Sequence, residues 1–549
     1  MSLLKQNSSK VIILIIFSGL FLVGINTYQD YGISVDEKFQ RSNGFFWLDY
    51  LLSYTNLNDL KNLVSQKLID IEDFTLADVS KFKIYGILFD LPAALLEVLL
   101  KLEDTKDIYN LRHLLNFLYF FVGSIFFYKI LINRFNSFIS LIGTLFFLSS
   151  PRIYGESFYN SKDIIFLSFL CIAIFYCFQF LKKKGVYNLI LFSFFTAACI
   201  QTRVIGIFLP FSFLIFYIFA IISDKKEITF ISKYLFYFGM TFLFLFLFWP
   251  YLWGNPVQNL LNIFSNLSSL TPDIKIFFNG KFIDASYMPY EYLPTWMIIS
   301  SPIINSILFI SGSILLFSRL FKRLITFENL KYNKFDLWRS VSEQKDLFIL
   351  INFYLILLIL ISFNITLINS WRYVFFLHIF VIYISTFFIH YLFTKFKDKK
   401  KIFGFKFLLI SFIFLNLYKI NSYHPFQGLY FNSLLSSKYK NNFEIDHSSI
   451  SGKDALNWIV NNEDSDKKIK IGTASWSPLY RNIDGLEKEK RELINFVGQN
   501  YSDAKYIYTN NISEVDKTKD KKYDIPKDFK QIYSFMIDDL VIYEIYKRK

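Results

Sequence analysis

Eleven apolar stretches recur along the chain, each near the length that crosses the hydrocarbon core of a bilayer. They lie at residues 11–27, 113–131, 137–150, 164–181, 186–202, 204–223, 229–249, 298–318, 347–368, 371–393 and 402–420. A helix of about 20 apolar residues pairs its backbone groups internally, which is the condition for spanning lipid. The chain is 53% hydrophobic and carries 68 phenylalanines. We therefore predict a polytopic α-helical membrane protein with about eleven transmembrane helices.

Charge between the apolar stretches predicts the orientation. The first stretch has no small-residue cleavage site after it, so we expect a retained span rather than a signal peptide. With a cytoplasmic N-terminus, the basic residues at 182–184, 225–226 and 395–406 all fall on the cytoplasmic side, as the positive-inside rule requires. The net charge of +14 lies mostly in such gaps, which argues against a nucleic-acid partner. The protein is thus expected in the plasma or inner membrane with its C-terminus outside.

Two regions of different character divide the chain. Residues 1–425 form the predicted transmembrane domain, with a long first outer loop at 28–112. In that loop the run Lys83–Leu102 predicts an amphipathic helix at the membrane interface, because Asp90, Pro92 and Glu97 interrupt its apolar residues.

Residues 426–549 are predicted to form a small, extracytoplasmic α/β domain. Apolar residues alternate in KIKIGTASW, AKYIYT and DDLVIYEIYKR, as in half-buried strands, and Lys453–Val460 has a helical pattern.

An acidic cluster follows the first span. Asp30, Asp36 and Glu37 lie within DYGISVDEKFQ. Adjacent carboxylates at a membrane surface can deprotonate a hydroxyl or hold a divalent cation such as Mg²⁺ or Mn²⁺. The alternative is a solvated turn with incidental acids.

A second polar stretch, SPRIYGESFYNSKD, separates the third and fourth spans and is predicted to be an outer turn. It contains Arg152, Glu156, Lys162 and Asp163. A cation beside a carboxylate could bind a lipid phosphate while the acid contacts a sugar or nucleophile. The alternative is an interfacial anchor whose lysine and arginine extend to the head groups.

Three arginines oppose the positive-inside trend. Arg112, Arg203 and Arg372 each lie at a predicted outer helix end. The planar guanidinium binds phosphate oxygens well, so this placement indicates an anionic ligand. Anchoring to lipid head groups is the alternative for each arginine singly.

These motifs occur in an order that resembles a known family. GISVDEKFQ, LRHLLN, SPRIYGESFYNSKD, TRVIG, WRYVF and YHPFQGLYFN follow one another along matching spans. The set is similar to the membrane glycosyltransferases of the GT-C superfamily. The nearest resemblance is to bacterial relatives of the polyprenyl- or dolichyl-phosphate-mannose protein mannosyltransferases (glycosyltransferase family 39).

The resemblance implies a hexosyl- or pentosyltransferase that takes a sugar from a polyprenyl-phosphate carrier on the outer face. It assigns the catalytic role to Asp36, with Glu37 and Asp163 as further candidates and as the ligands of any metal. Together with the charge pattern, it makes Arg112, Lys162, Arg203 and Arg372 the candidate ligands of the donor phosphate. A single displacement would invert the anomeric carbon.

Two points stay open at this level. The chain has no counterpart of the soluble β-trefoil insert of the eukaryotic mannosyltransferases, so the acceptor can be a protein, a lipid or a glycan. A transporter or flippase of a lipid-linked or anionic substrate is the main alternative. Transporters place polar residues near the bilayer midplane in two similar halves, whereas no internal repeat is visible in this sequence.

Overall fold

The computed structural model describes residues 2–71, 82–223, 225–269, 273–325, 337–363, 365–463 and 468–549. Twenty α-helices occur in these ranges. They are α1 (Ser2–Thr27), α2 (Glu37–Leu52), α3 (Asn58–Asp70), α4 (Asp90–Leu99), α5 (Thr105–Ile132), α6 (Ser137–Leu148), α7 (Pro151–Tyr159), α8 (Asp163–Lys183), α9 (Val186–Thr202), α10 (Phe208–Ser223), α11 (Ile231–Phe248), α12 (Pro256–Ser269), α13 (Tyr292–Ser300), α14 (Ile303–Ile325), α15 (Val341–Ser362), α16 (Leu377–Lys395), α17 (Lys399–Ser422), α18 (Ser437–Lys440), α19 (Ser451–Asn461) and α20 (Lys488–Glu492). The strands are β1 (Lys275–Phe278), β2 (Lys281–Asp284), β3 (Ile469–Thr473), β4 (Ile494–Gly498), β5 (Tyr506–Thr509), β6 (Phe529–Ile537) and β7 (Leu540–Arg548).

Nine helices of the described ranges are long and apolar enough to cross a membrane. They comprise α1, α5, α8, α14, α15, α16, α17 and the longer helical segments Val204–Ile222 and Glu227–Phe248, which contain most of α10 and all of α11. The α6 and α7 helices meet the same criterion as a pair bent by 63°, and α9 is a shorter apolar helix of 17 residues. Each of the eleven predicted stretches thus corresponds to a helix, and the polytopic helical fold is confirmed.

The predicted turn SPRIYGESFYNSKD is mostly a buried helix. Proline cannot continue the hydrogen bonding of α6, so that helix ends at Leu148 and α7 begins with Pro151. All nine residues of α7 are buried, because the helix packs against α5, α17 and the chain after α17. The prediction of an outer turn was wrong here, since polar composition does not imply exposure when other elements cover the segment. Burial of Arg152 also removes the anchoring alternative for that side chain.

The first outer loop forms a helical layer beside the bundle. The run Lys83–Leu102 was predicted as one helix, but the observed helix α4 covers only Asp90–Leu99. Its Glu97 is buried and accepts hydrogen bonds from Nε and Nη2 of Arg41 on α2, at 3.1 and 2.7 Å. Gly44 of α2 leaves no room for a side chain against the Asp90 carbonyl. The acids of α4 therefore face α2 and α5 rather than water.

The C-terminal region contains a mixed sheet in the order β4-β3-β5-β7-β6. Strand β3 runs parallel to β4 and β5, whereas β7 is antiparallel to β5 and β6. The three predicted strand segments became β3, β5 and β7, and the predicted helix became α19. This confirms the α/β class of the region, while the boundary at residue 425 stays a prediction.

Arg112 lies near the start of α5. Near the other end of that helix, one buried carboxylate forms hydrogen bonds to several segments. Asp346 of α15 accepts two hydrogen bonds from Arg134, both at 2.9 Å, and one from Arg319 at 3.1 Å. The Tyr383 hydroxyl donates to it at 2.9 Å. Asp346 thus joins α14, α15 and α16 to the chain after α5.

We expect Asp346→Asn to lower the free energy of unfolding by about 3–5 kcal/mol, because it leaves two arginines without their buried counter-ion. Thermal unfolding of the detergent-solubilised protein, followed by tryptophan fluorescence, measures this. Asp59→Asn, at an exposed position of α3, is the matched control. Equal midpoints for the two variants would contradict a structural role for Asp346.

Candidate active site

The loop after α1 leaves the Asp36 carboxylate available for other partners. Asp36 occupies the N-cap position of α2 but makes no side-chain capping hydrogen bond. Glu37 instead accepts the Ser34 amide at 2.7 Å, and the Val35 amide donates to the Ser448 carbonyl at 3.0 Å. These bonds hold the backbone of the loop, so the Asp36 side chain is not needed for it.

Arg372 is the direct partner of Asp36. Its Nη1 atom lies 3.0 Å from Asp36 Oδ2. The arginine side chain is only 7% exposed, whereas that of Asp36 is 41% exposed. The pair therefore consists of a buried cation and a carboxylate that solvent or a substrate can reach.

The backbone before Arg372 is strained. Asn369 and Ser370 have φ angles of 61° and 64°, a left-handed conformation that costs a residue other than glycine about 1–3 kcal/mol. The Ser370 amide donates to the Tyr292 hydroxyl at 3.2 Å, and the Trp371 indole donates to the Ser300 hydroxyl at 2.7 Å. Such strain persists where the surroundings fix the chain, and here they fix the start of the Arg372–Val374 turn.

Asn160 organises the NSKD sequence. Its amide nitrogen donates to Glu156 and to Asp163, both at 2.9 Å, and its amide oxygen accepts the Asp163 N–H at 3.0 Å. One side chain thus holds two carboxylates together and caps the start of α8. Asp163 also pairs with Arg203, with Nη2 and Oδ1 2.5 Å apart. Its position in the first turn of α8 suits a negative charge.

Arg112 forms a third ion pair, with Asp90, in which both side chains are buried. Its Nη2 atom lies 3.0 Å from Asp90 Oδ1, and the Asn43 amide donates to Asp90 Oδ2 at 2.8 Å. Burial raises the pKa of Asp90 above its usual value even with these partners present. Each of the three predicted outer arginines thus faces a carboxylate, and the sequence analysis identified the partner of none of them.

Glu37 is placed as a support of the loop rather than as a second reactive acid. Its side chain is 3% exposed and lies 3.1 Å from His113 Nε2. With the Ser34 amide as its other partner, both sides of the carboxylate are engaged. Of the two adjacent acids, only Asp36 is accessible.

Lys162 lies between the acids without pairing directly with any of them. Its ammonium lies over the rings of Tyr85, at 4.0 Å, and Phe39, at 5.2 Å. Within the described part of the chain it has no hydrogen bond or ion pair with a carboxylate. Burial lowers the pKa of Lys162, and the nearby charges of Asp36, Asp90 and Asp163 oppose that effect.

Several buried guanidinium nitrogens around these acids have no acceptor among the described residues. They are Nε and Nη1 of Arg112 and Nε of Arg152, Arg203 and Arg372. An unpaired buried donor costs about 1–3 kcal/mol. The cluster therefore has donors suited to an anion, and arginine and lysine are the side chains that bind phosphate.

The charges of the cluster act together on Asp36. Burial acts to raise the pKa of its carboxyl, but Arg372, Lys162 and Arg203 lower it below the usual value. Asp36 is thus held as a carboxylate. The structure brings it together with the candidates Asp163, Lys162, Arg203 and Arg372, whereas Arg112 and Glu37 lie at the edge of the cluster with partners of their own.

The predicted metal ligands fit a metal poorly. Asp36 and Asp163 each face an arginine, and Glu37 faces His113. No group of three or more histidine, cysteine, aspartate or glutamate side chains suited to a metal occurs in the residues that the structure describes. The donor set therefore favours phosphate binding by cationic side chains.

One family matches part of the chain. Residues 91–253 match the family described as dolichyl-phosphate-mannose-protein mannosyltransferase. The match confirms the resemblance for the segment that carries Arg112, the NSKD sequence and TRVIG. It covers less than a third of the chain and does not include Asp36 or Arg372. No curated protein sequence matches the chain.

Two solved structures are similar to the chain at low identity. ArnT from Cupriavidus metallidurans bound to undecaprenyl phosphate has a TM-score of 0.45 and 10% identity, over 97% of each chain. The apo oligosaccharyltransferase of Archaeoglobus fulgidus has a TM-score of 0.43 and 10% identity, over 78% of this chain and 62% of that one. The chain thus spans less than two thirds of the archaeal protein. Because these TM-scores are below 0.5, the likenesses carry no argument about function.

We expect Asn160→Ala to lower the free energy of unfolding by about 1–3 kcal/mol, because Glu156 and Asp163 would then repel each other without a shared donor. The thermal midpoint of the purified protein measures the effect. Asn188→Ala, on the half-buried face of α9, is the control. A midpoint no lower than that of the control would contradict the organising role of Asn160.

Proposed function

We propose that this protein is a glycosyltransferase that moves a sugar from a polyprenyl-phosphate carrier to an acceptor hydroxyl on the extracytoplasmic face. The observation that carries the proposal is the accessible Asp36 carboxylate beside the cations Arg372, Lys162 and Arg203. The family match over residues 91–253 supports the same class. In this proposal the N-terminus is cytoplasmic, and the C-terminal domain lies outside with the site.

The proposed step is a single displacement. Asp36 removes the proton of the acceptor hydroxyl as its oxygen attacks the anomeric carbon. The bond between that carbon and the phosphate oxygen breaks, and polyprenyl phosphate leaves with the electron pair. Attack opposite the leaving group inverts the anomeric centre, as expected for a hexosyl- or pentosyltransferase of this kind.

The cations have a defined electrostatic task in this step. A phosphodiester with one negative charge becomes a phosphate monoester with two, so negative charge grows on the leaving group. Arg203, Arg372 and Lys162 would stabilise that charge in a poorly solvated site. Arg112 completes the set from its place beside Asp90, and Asp163 serves to orient Arg203.

Donor binding would also activate the base. The donor phosphate competes with Asp36 for Arg372. Pairing of the arginine with phosphate removes the charge that lowers the pKa of Asp36 most. The pKa of Asp36 then rises, and a carboxylate of higher pKa is the stronger base. Asp36 would thus become basic only when a donor is present.

An apolar cavity beside Arg372 suits the carrier's hydrocarbon chain. A cavity of ≈ 150 Å³ lies between α13, α14, α15 and α16, and Trp371 is part of its wall. Trp371 directly precedes Arg372, so a lipid in this cavity would have its phosphate near the cations. The alternative function, a transporter or flippase, has less support, because the accessible Asp36 and the cations around it lie at one end of the bundle rather than midway along its helices.

We expect Asp36→Asn to reduce transfer by at least about 100-fold, since an amide cannot accept the hydroxyl proton. The assay follows loss of labelled sugar from a panel of polyprenyl-phosphate sugars incubated with purified protein. Asp30→Asn is the control, because Asp30 lies in the same loop and pairs instead with His424, at 2.8 Å. An active Asp36→Asn enzyme would refute the assignment.

The pH dependence of kcat/KM tests how the neighbouring charges affect the pKa of Asp36. Because Arg372 lowers the pKa of Asp36, Arg372→Gln should raise that pKa and move the acid limb of the kcat/KM profile to higher pH. Arg112→Gln should lower kcat/KM without moving the limb, because Arg112 pairs with Asp90. Equal shifts in both variants would contradict the proposal.

We further propose that phosphate binding does not require Mg²⁺ or Mn²⁺, since the candidate metal ligands are engaged in ion pairs. Transfer should survive treatment with EDTA at its original rate. Activity that EDTA abolishes and Mg²⁺ or Mn²⁺ restores would refute this and return Asp36 and Asp163 to the role of metal ligands.

A further inference from the structure

A second cavity lies between the β1–β2 hairpin and the C-terminal sheet. Its volume is ≈ 470 Å³. The walls come from the hairpin, from residues 441–445, from residues 510–518 and from β7. The side chains that define its chemistry are those of Phe277, Phe282, Asn441, Glu444, Asn511 and Glu544.

Backbone hydrogen bonds hold the hairpin against both neighbouring segments. The Lys275 amide donates to the Glu514 carbonyl at 2.7 Å. The Phe277 amide donates to the Glu444 carboxylate at 3.0 Å, and its carbonyl accepts the Glu444 amide at 3.2 Å. The cavity is therefore a fixed cleft. The same bonds occupy the outer edge of β1, so a peptide cannot add there as a further strand.

The side chains suit a neutral compound that is rich in hydroxyl groups. Phe277 and Phe282 have ring centroids 4.8 Å apart and offer apolar faces. Asparagine side chains donate and accept hydrogen bonds at once, as a hydroxyl does. Burial raises the pKa of Glu444 to about 7, so near neutral pH its carboxyl can both donate and accept. Lys517 and Glu544, which carry opposite charges, also line the cleft, so its walls have no excess positive charge that would favour a polyanion.

One short segment joins this cleft to the candidate active site. Glu444 forms part of the cavity wall, and Ser448 accepts a hydrogen bond from Val35, the neighbour of Asp36. Four residues of extended chain span at most about 14 Å. The wall of the cleft at Glu444 therefore lies within about 14 Å of Ser448, the residue that bonds to the loop of Asp36.

From this arrangement we infer that the cleft between the β1–β2 hairpin and the C-terminal sheet binds a neutral glycan acceptor and directs one of its hydroxyls to Asp36. The inference rests on the proposed function, because it names the acceptor for that reaction. Aromatic faces bind the sugar rings, while amide and carboxyl groups bind their hydroxyls. A peptide acceptor is the competing outcome of the test.

Binding should be measured without turnover, in the full-length Asp36→Asn protein in nanodiscs. Saturation-transfer NMR would use mannotriose, cellotriose and chitotriose as neutral probes, trigalacturonate as the anionic probe and a serine-containing octapeptide. We expect at least one neutral trisaccharide to bind and Phe282→Ala to weaken it by about tenfold, as loss of an aromatic contact implies. Asn441→Ala, an exposed position in the cleft, should weaken it as well.

Tyr287→Ala is the matched control, because Tyr287 is an exposed aromatic residue near the hairpin and outside the cleft. Failure of every neutral probe to bind would overturn the inference. Preferential binding of the peptide or trigalacturonate, or equal loss in the control, would also overturn it. If no probe binds while the unaltered protein, with Asp36 present, still cleaves the donor, only the inference about the acceptor is refuted. If a neutral trisaccharide binds while the unaltered protein cleaves no donor, the proposed function is refuted.

Discussion

The pairing of buried charges governs the organisation of this protein. A lone charged side chain inside an apolar bundle costs several kcal/mol, so each buried cation needs a counter-ion or a ligand. At one end Asp346 is the shared counter-ion of Arg134 and Arg319. At the other end three arginines meet three carboxylates that come from other segments of the chain.

The two ends differ in what remains after pairing. Asp346 is fully buried, and four hydrogen bonds reach its carboxylate. Asp36 is accessible, its partner Arg372 keeps an unpaired Nε atom, and Lys162 has no direct counter-ion among the described residues. The first arrangement is expected of a structural clamp. The second has unpaired guanidinium nitrogens and a reachable base, as a site for an anionic substrate requires.

The fold was largely predictable from the sequence, whereas the site was predictable only in part. Apolar stretches identified the spanning helices because the lipid requirement acts on each segment alone. The charge bias drew attention to Arg112, Arg203 and Arg372, which the structure places beside carboxylates, while their role as phosphate ligands stays a prediction. The pairing of Arg112 with Asp90, the burial of α7 and the bridging by Asn160 depend on contacts between distant segments, which local patterns do not encode. The position of Asp90 at the start of the apolar helix α4 was the available signal for this residue.

A structure of the protein with a non-cleavable polyprenyl-phosphate sugar tests the central claim most directly. The account predicts the donor phosphate within hydrogen-bond distance, about 3 Å, of Arg203, Arg372 or Lys162, with the anomeric carbon facing Asp36. A donor phosphate bound away from these cations, or a sugar turned away from Asp36, would contradict it.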